Sequence, residues 1–145
     1  MKVFIDTSSL IKLYYKEEDT SKLDQIFTDY NVTGIFISEI AKVEFFSAIY
    51  KKLRVNQLSL QNADDILSLF LLDLNSYIVV LVNSEIIDFS QSLIKKYGVK
   101  GLRALDAMQL ASVCSVKSMI DFAITDDKLL AEFFTLENIK IPALS

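Results

Sequence analysis

The stretch Lys2–Leu10, KVFIDTSSL, carries the decision about the fold. Val3, Phe4 and Ile5 read as a short strand buried on both faces, because an apolar run without alternation is the mark of a strand inside a parallel sheet. Asp6 falls at its carboxyl end. Thr7, Ser8 or Ser9 can then cap a helix over SLIKLYY, residues 9–15. A strand that ends on an acid and turns at once into a helix is the opening of an α/β unit, and it places a carboxylate where such sheets build their sites.

The rest of the chain repeats the alternation. EEDTSKLDQIFTDY reads as a helix with a Leu23, Ile26 and Phe27 stripe. Strand Ile35–Ile37 leads to Ser38, read as the cap of a long helix in which Ile40, Val43, Phe46 and the Ala48–Ile49 pair recur at helical spacing. SLQNADDILSLFLLDL is a helix starting near Ser59 or Asn62. YIVVLV is a β-branched strand, and NSEIIDFSQSLIKKYG a helix stopped by Gly98. LRALDAMQLASV reads as a helix for burial, with Asp106 in its middle and Leu102, Leu105, Met108, Leu110, Ala111 and Val113 as its apolar surface. A strand ends near Thr125, a short helix follows, and IKI offers a last edge strand closed by Pro142. Strands alternating with helices predict a three-layer α/β/α sandwich around a mostly parallel sheet, as one domain over residues 1–145.

Composition narrows the chemistry. The chain has 145 residues, of which 52% are hydrophobic and 23% charged, enough for one real core and against disorder. There is no histidine, which removes Ser-His-Asp and Cys-His nucleophiles and every histidine-based zinc site. The lone Cys114, in an apolar helix, reads as a structural thiol. No apolar run reaches the length of a membrane span, and Asp6 interrupts the apolar stretch a signal peptide requires, so a cytoplasmic protein without membrane association is expected. No phosphate-cradling glycine loop is present, and the DTS after the first strand lacks the second aspartate of aspartyl-phosphate phosphatases.

Four acids stand beside buried apolar segments: Asp6, Glu44, Asp106 and Asp127. Gathered carboxylates bind hard divalent cations such as Mg²⁺ or Mn²⁺, which offset their repulsion. Each acid also has a plainer reading. Asp6 caps a helix, Glu44 sits on a polar face, Asp106 pairs with Arg103 three residues earlier, and Asp127 complements a helix dipole. The net charge of −4 comes from 19 acidic and 15 basic residues. A metal would neutralise four of the acids locally, and the bases cluster at Lys51, Lys52 and Arg54, and at Lys95, Lys96, Lys100 and Arg103.

The ordered set VFIDTSSLIKLYY, ISEIAKVEFFSAI, LRALDAMQLASV and FAITDDKLL resembles a PIN domain, and more closely the VapC toxin ribonucleases. The resemblance makes Asp6, Glu44 and Asp106 the first three site acids. The fourth falls two residues after Thr125, on Asp127, with Asp126 in reserve. It implies an endoribonuclease dependent on Mg²⁺ or Mn²⁺ that hydrolyses RNA phosphodiester bonds. Asp6 and Asp106 would be the principal ligands, Glu44 and Asp127 would complete the site, and Thr125 and Ser8 would support the acids. Arg103, Lys51, Lys52 and Arg54 become candidate RNA contacts, and Tyr14 and Tyr15 read as packing residues before base-stacking ones. The family commonly has histidine where this chain has Gln109, which reads here as an exposed helical residue. A homodimer, a cognate antitoxin and translation-related RNA such as transfer RNA are the implied partners. A PIN-like RNA-processing nuclease outside a toxin pair, or a catalytically idle interaction module, are the alternatives.

Overall fold

Alternate residues of the first strand face two different cores. In the computed structural model, which describes residues 1–17 and 20–142, β1 (Lys2–Ile5) lies at the interior of a four-stranded, wholly parallel sheet of order β3-β2-β1-β4. Its neighbours are β2 (Gly34–Ser38) and β4 (Phe122–Ile124), in the registers Phe4↔Phe36 and Phe4↔Ala123, and β3 (Ile78–Val80) forms the far edge. Val3, Ile5, Ile37, Phe122 and Ile124 point to one side, and Phe4, Phe36, Val80 and Ala123 to the other. That period-2 split lets one sheet carry two buried layers.

On the first side lie α1 (Thr7–Leu10) with the 3₁₀ turn Ile11–Leu13, α2 (Thr20–Asp29), α3 (Ala41–Arg54) and α4 (Leu60–Asp73). Phe45 of α3 stacks on Phe70 of α4 at 3.9 Å between centroids, and the edge of Tyr14 meets both rings. The hydroxyl of Tyr14 is taken up by Asp73 and Tyr77, so Tyr14 is a packing residue. On the other side lie α5 (Ser84–Tyr97), α6 (Ala104–Ser115) and α7 (Lys128–Leu136), around Leu93, Leu110, Phe133 and Phe134. Cys114 is half-buried against this cluster, and burial pushes its thiol up to about 11, as a structural cysteine requires.

Several boundaries differ from the sequence expectation. Helix α1 starts at Thr7 and its cap is Asp6, whose Oδ1 accepts from the Ser9 amide at 3.0 Å. Ser38 does not cap α3. The ladder runs on through the Glu39 amide to the Val80 carbonyl at 2.8 Å, which draws Ser38 into the sheet, where its hydroxyl meets Ser112. The chain turns into α3 at Ile40 without a side-chain cap. Ser59 caps α4 by accepting from the Asn62 amide. Gly98 ends α5 as its C-cap, though at a helical φ of −58°, and leads into a 3₁₀ turn over Gly98–Lys100. That turn ends at Gly101, at φ +105°, a conformation that favours glycine. Helix α6 therefore begins at Ala104, and Asp106 sits in its first turn rather than its middle. The IKI segment is no strand, being held beside β4 by one bond, from the Ala123 amide to the Lys140 carbonyl. Residues 18–19 of the second predicted helix lie outside the described residues. No described helix is long and apolar enough to cross a membrane.

Candidate functional site

The acids collect where the parallel strands end. Asp6 continues β1 by one residue, its amide bonded to the Ile124 carbonyl, and its side chain is 3% exposed. The Ser8 hydroxyl reaches both its oxygens, the Ser9 amide donates to Oδ1, and Thr125 donates to Oδ2 at 2.6 Å. Burial nevertheless pushes the Asp6 carboxyl up to about 6. The Thr125, Ser9 and Ser8 bonds oppose that rise and the Glu44 charge adds to it.

Glu44, in the first turn of α3, accepts two bonds at Oε1, from the Thr7 hydroxyl and from the Gln109 amide, both at 2.8 Å. Asp106 is half-buried in the first turn of α6. Burial raises its carboxyl, as do the charges of Asp127 and Glu44, while Arg103 pulls it down. Arg103 acts through this charge, with no ion pair to a described residue. Asp127 caps α7, its Oδ1 accepting from the Leu129 and Leu130 amides at 2.9 and 3.0 Å, and its own amide donates to Thr125 Oγ1. The four acids thus form a linked series in which the charge of Glu44 raises both Asp6 and Asp106, and that of Asp127 raises Asp106 as well.

Among the described residues no three of these acids close around one cation position. Asp6 is ringed by donors, and Glu44 and Asp127 each commit one oxygen to hydrogen bonds. The donor chemistry still fits a hard divalent ion. Every group is a carboxylate, the set is self-repelling, and Glu44 Oε2 and Asp127 Oδ2 carry no bond from a described residue.

Asp126, the reserve acid, is held differently. Its Oδ2 lies 2.7 Å from Lys12 Nζ, a lysine only 4% exposed, and its amide donates to Ser8. Of the basic candidates, Lys51 and Arg54 are exposed and line a cleft of about 580 Å³ with Glu44, Val43 and Leu105. Leu105, expected in the core, is half-exposed and lines this cleft. Arg103 is exposed at the mouth beside Asp106 and Glu44. Lys52 is engaged, 2.9 Å from Glu17 and 4.2 Å above the Tyr15 ring.

Gln109 overturns its expectation. It is buried at 3% exposure and bonds Glu44 and Thr7, because its place three residues after Asp106 puts it on the site face of α6. That spacing was the available signal. Thr7 and Lys12 were also missed. Thr7 had adjacency to Asp6, whereas nothing in the sequence marked Lys12 for burial.

A parallel α/β/α sandwich with an acidic site at the strand ends is one class of fold, and comparison with known proteins names it. Residues 3–133 match the PIN domain family, and the chain belongs to that family. Two solved structures share the fold. VapC20 of Mycobacterium tuberculosis, described as a sarcin-ricin loop cleaving toxin, aligns with a TM-score of 0.67 and 14% identity, covering 90% of this chain and 93% of that one. VapBC2 from Rickettsia felis, bound to a DNA fragment from their promoter, aligns with a TM-score of 0.57 and 15% identity, over 88% of each chain. No curated protein matches the sequence.

Proposed function

We propose that the protein is a Mg²⁺- or Mn²⁺-dependent endoribonuclease, the toxin of a toxin–antitoxin pair acting in the cytoplasm. The observation that carries this reading is the linked series Asp6, Glu44, Asp106 and Asp127, drawn from four segments to one edge of a PIN-family sheet. Asp6 and Asp106 would be the principal ligands, with Glu44 and Asp127 completing the set. When bound, such an ion lowers the pKa of water and polarises the scissile phosphate.

The chain's own residues do the rest. Ser8 and Thr125 hold the Asp6 carboxylate in place. Arg103, Lys51 and Arg54 meet the phosphates of the RNA on either side of the acids, a role favoured by their exposure around the Glu44 cleft. No histidine is present to act as general base, so the acids and the ion together set the protonation of the attacking water.

The substrate is taken to be structured, translation-related RNA, with transfer RNA one example. VapC20 is described as cleaving the sarcin-ricin loop, which lends that class support. A cognate antitoxin and a homodimer are the proposed assemblies, and the VapBC2 description supplies the precedent for the pairing.

The experiment is cleavage of total RNA by the purified protein with and without Mn²⁺, repeated with Asp106→Asn. Expected is metal-dependent cutting that falls on the order of 10²-fold or more in the variant. Metal-independent cutting, or an indifferent Asp106→Asn, would overturn the mechanism. Growth arrest on expression, relieved by the product of an adjacent gene, separates a toxin from a PIN nuclease outside such a pair.

A further inference from the structure

We infer that Gln109 is a positioning residue for Glu44, committing one oxygen of that carboxylate to the fold so that the other faces the cation and the RNA. The inference rests on the nuclease reading and deepens it. Thr7, Glu44 and Gln109 close a triangle from three different elements. Gln109 Nε2 donates to Glu44 Oε1 at 2.8 Å and to Thr7 Oγ1 at 3.0 Å, and Thr7 donates to the same Glu44 oxygen at 2.8 Å.

The orientation of the amide follows from proton counting. Thr7 has one hydroxyl proton and gives it to Glu44, so its oxygen accepts from Gln109, and the ionised carboxylate only accepts. Both neighbours therefore require the NH₂ end of the amide. The carbonyl end is turned away, and Gln109 Oε1 is buried without a partner among the described residues. A buried acceptor left unpaired works against folding, and an apolar side chain of similar shape would spare that cost. The amide is accounted for by its donor end alone. Two donors on Oε1 remove the carboxylate's freedom to rotate, which leaves Oε2 with a fixed direction. Asp106 stands on the same face of α6 one turn earlier, so α6 carries one site acid itself and sets the direction of a second.

The test is Gln109→Met, which keeps length and volume and removes the donors, followed by three readouts. These are Mn²⁺ binding by titration calorimetry, kcat and KM on an RNA substrate, and a cycle with Glu44→Gln. Expected are a folded protein, a Mn²⁺ affinity and a kcat each reduced about 10–100-fold, and an unchanged KM. In the Glu44→Gln background, Gln109→Met adds no further loss. Parent-like Mn²⁺ affinity and kcat, or losses that add to those of Glu44→Gln, overturn the inference. Should Gln109→Met not fold, Thr7→Val removes the other donor to the same oxygen and must lower kcat non-additively with Glu44→Gln, and an additive or absent loss again overturns it. If the parent binds no Mn²⁺ and cuts no RNA, the nuclease reading falls and takes this inference with it. If the parent does both and Gln109→Met is indifferent, only the role of Gln109 falls.

Discussion

Thr125 donates its hydroxyl to Asp6 Oδ2 at 2.6 Å, tying the residue after β4 to the residue after β1 across 119 positions of sequence. The same hydroxyl oxygen accepts from the Asp127 amide at 3.1 Å, so one threonine holds the turn into α7 against the first acid. A bond to the ionised form opposes the desolvation that raises Asp6, and its loss must raise that carboxyl above about 6. Thr125→Val is expected to move the Asp6 titration to higher pH, followed by carboxyl ¹³C NMR in the absence of metal, and to cost about 1–2 kcal/mol of stability. Thr125→Ser should retain most of both. An unmoved Asp6 titration in Thr125→Val would contradict the assignment.

The raised Asp6 carboxyl has a consequence for stability with a definite sign. Its folded value, about 6, lies above the ordinary 3.8, so between those limits the folded state binds more protons than the unfolded one. Stability from this group is complete below about 3.8, is lost as pH rises through about 6, and stays lost above. The metal-free parent is therefore destabilised at pH 7 on the order of 2–3 kcal/mol, and Asp6→Asn removes that penalty. Urea denaturation of the two proteins across pH 4–7 should show curves that diverge with rising pH, with Asp6→Asn the more stable at neutrality. Saturating Mn²⁺ should reverse the order by stabilising only the parent. Curves that run parallel would contradict the argument.

Asp127 combines a cap and a charge, and two variants separate them. Asp127→Asn keeps an oxygen for the Leu129 and Leu130 amides, whereas Asp127→Ala keeps none. Asp127→Ala is expected to cost about 1 kcal/mol and Asp127→Asn a few tenths. Both remove the negative charge felt by Asp106, so in both the Asp106 carboxyl should titrate at lower pH, and both should lose RNA cleavage. An Asp127→Asn protein with full cleavage would reduce Asp127 to a cap.

What the sequence made legible follows from what each signal measures. The uninterrupted apolar run Val3–Ile5 could lie only in a doubly covered strand, and with its acid it predicted the parallel sheet and the edge at which Asp6 stands. Helix ends were less legible because capping competes with the sheet. Ser38 had the chemistry of a cap, but the ladder's extension to Glu39 took it, whereas Gly98 does end α5, with the turn to positive φ deferred to Gly101. Lys12 was illegible for a further reason. A buried lysine is identified by a partner 114 positions away, and local pattern carries no information about that. For Gln109 the local spacing from Asp106 marked the face, but not its partner Glu44, 65 positions away. The plain readings of Asp6 and Asp127 as caps are met in the structure without excluding the site reading, since a carboxylate can cap with one oxygen and offer the other.

The adjacent pair Asp126–Asp127 supplies the last prediction, because the two carboxylates have different company. Asp126 is ion-paired at 2.7 Å with Lys12 and is absent from the charges that raise Asp106, where Asp127 is the first of them. An acid already paired to a buried ammonium contributes little charge to a cation, whereas Asp127 keeps its second oxygen. Asp126 is 44% exposed, so solvent screens its ion pair, and Asp126→Asn is expected to cost about 1 kcal/mol or less. Its RNA cleavage and Mn²⁺ affinity should stay within a few-fold of the parent, while Asp127→Asn loses on the order of 10²-fold in cleavage. Side-by-side cleavage assays at saturating Mn²⁺ decide between them. A loss confined to Asp126→Asn would transfer the fourth place to Asp126 and make Lys12, rather than a cation, the group that first neutralises it.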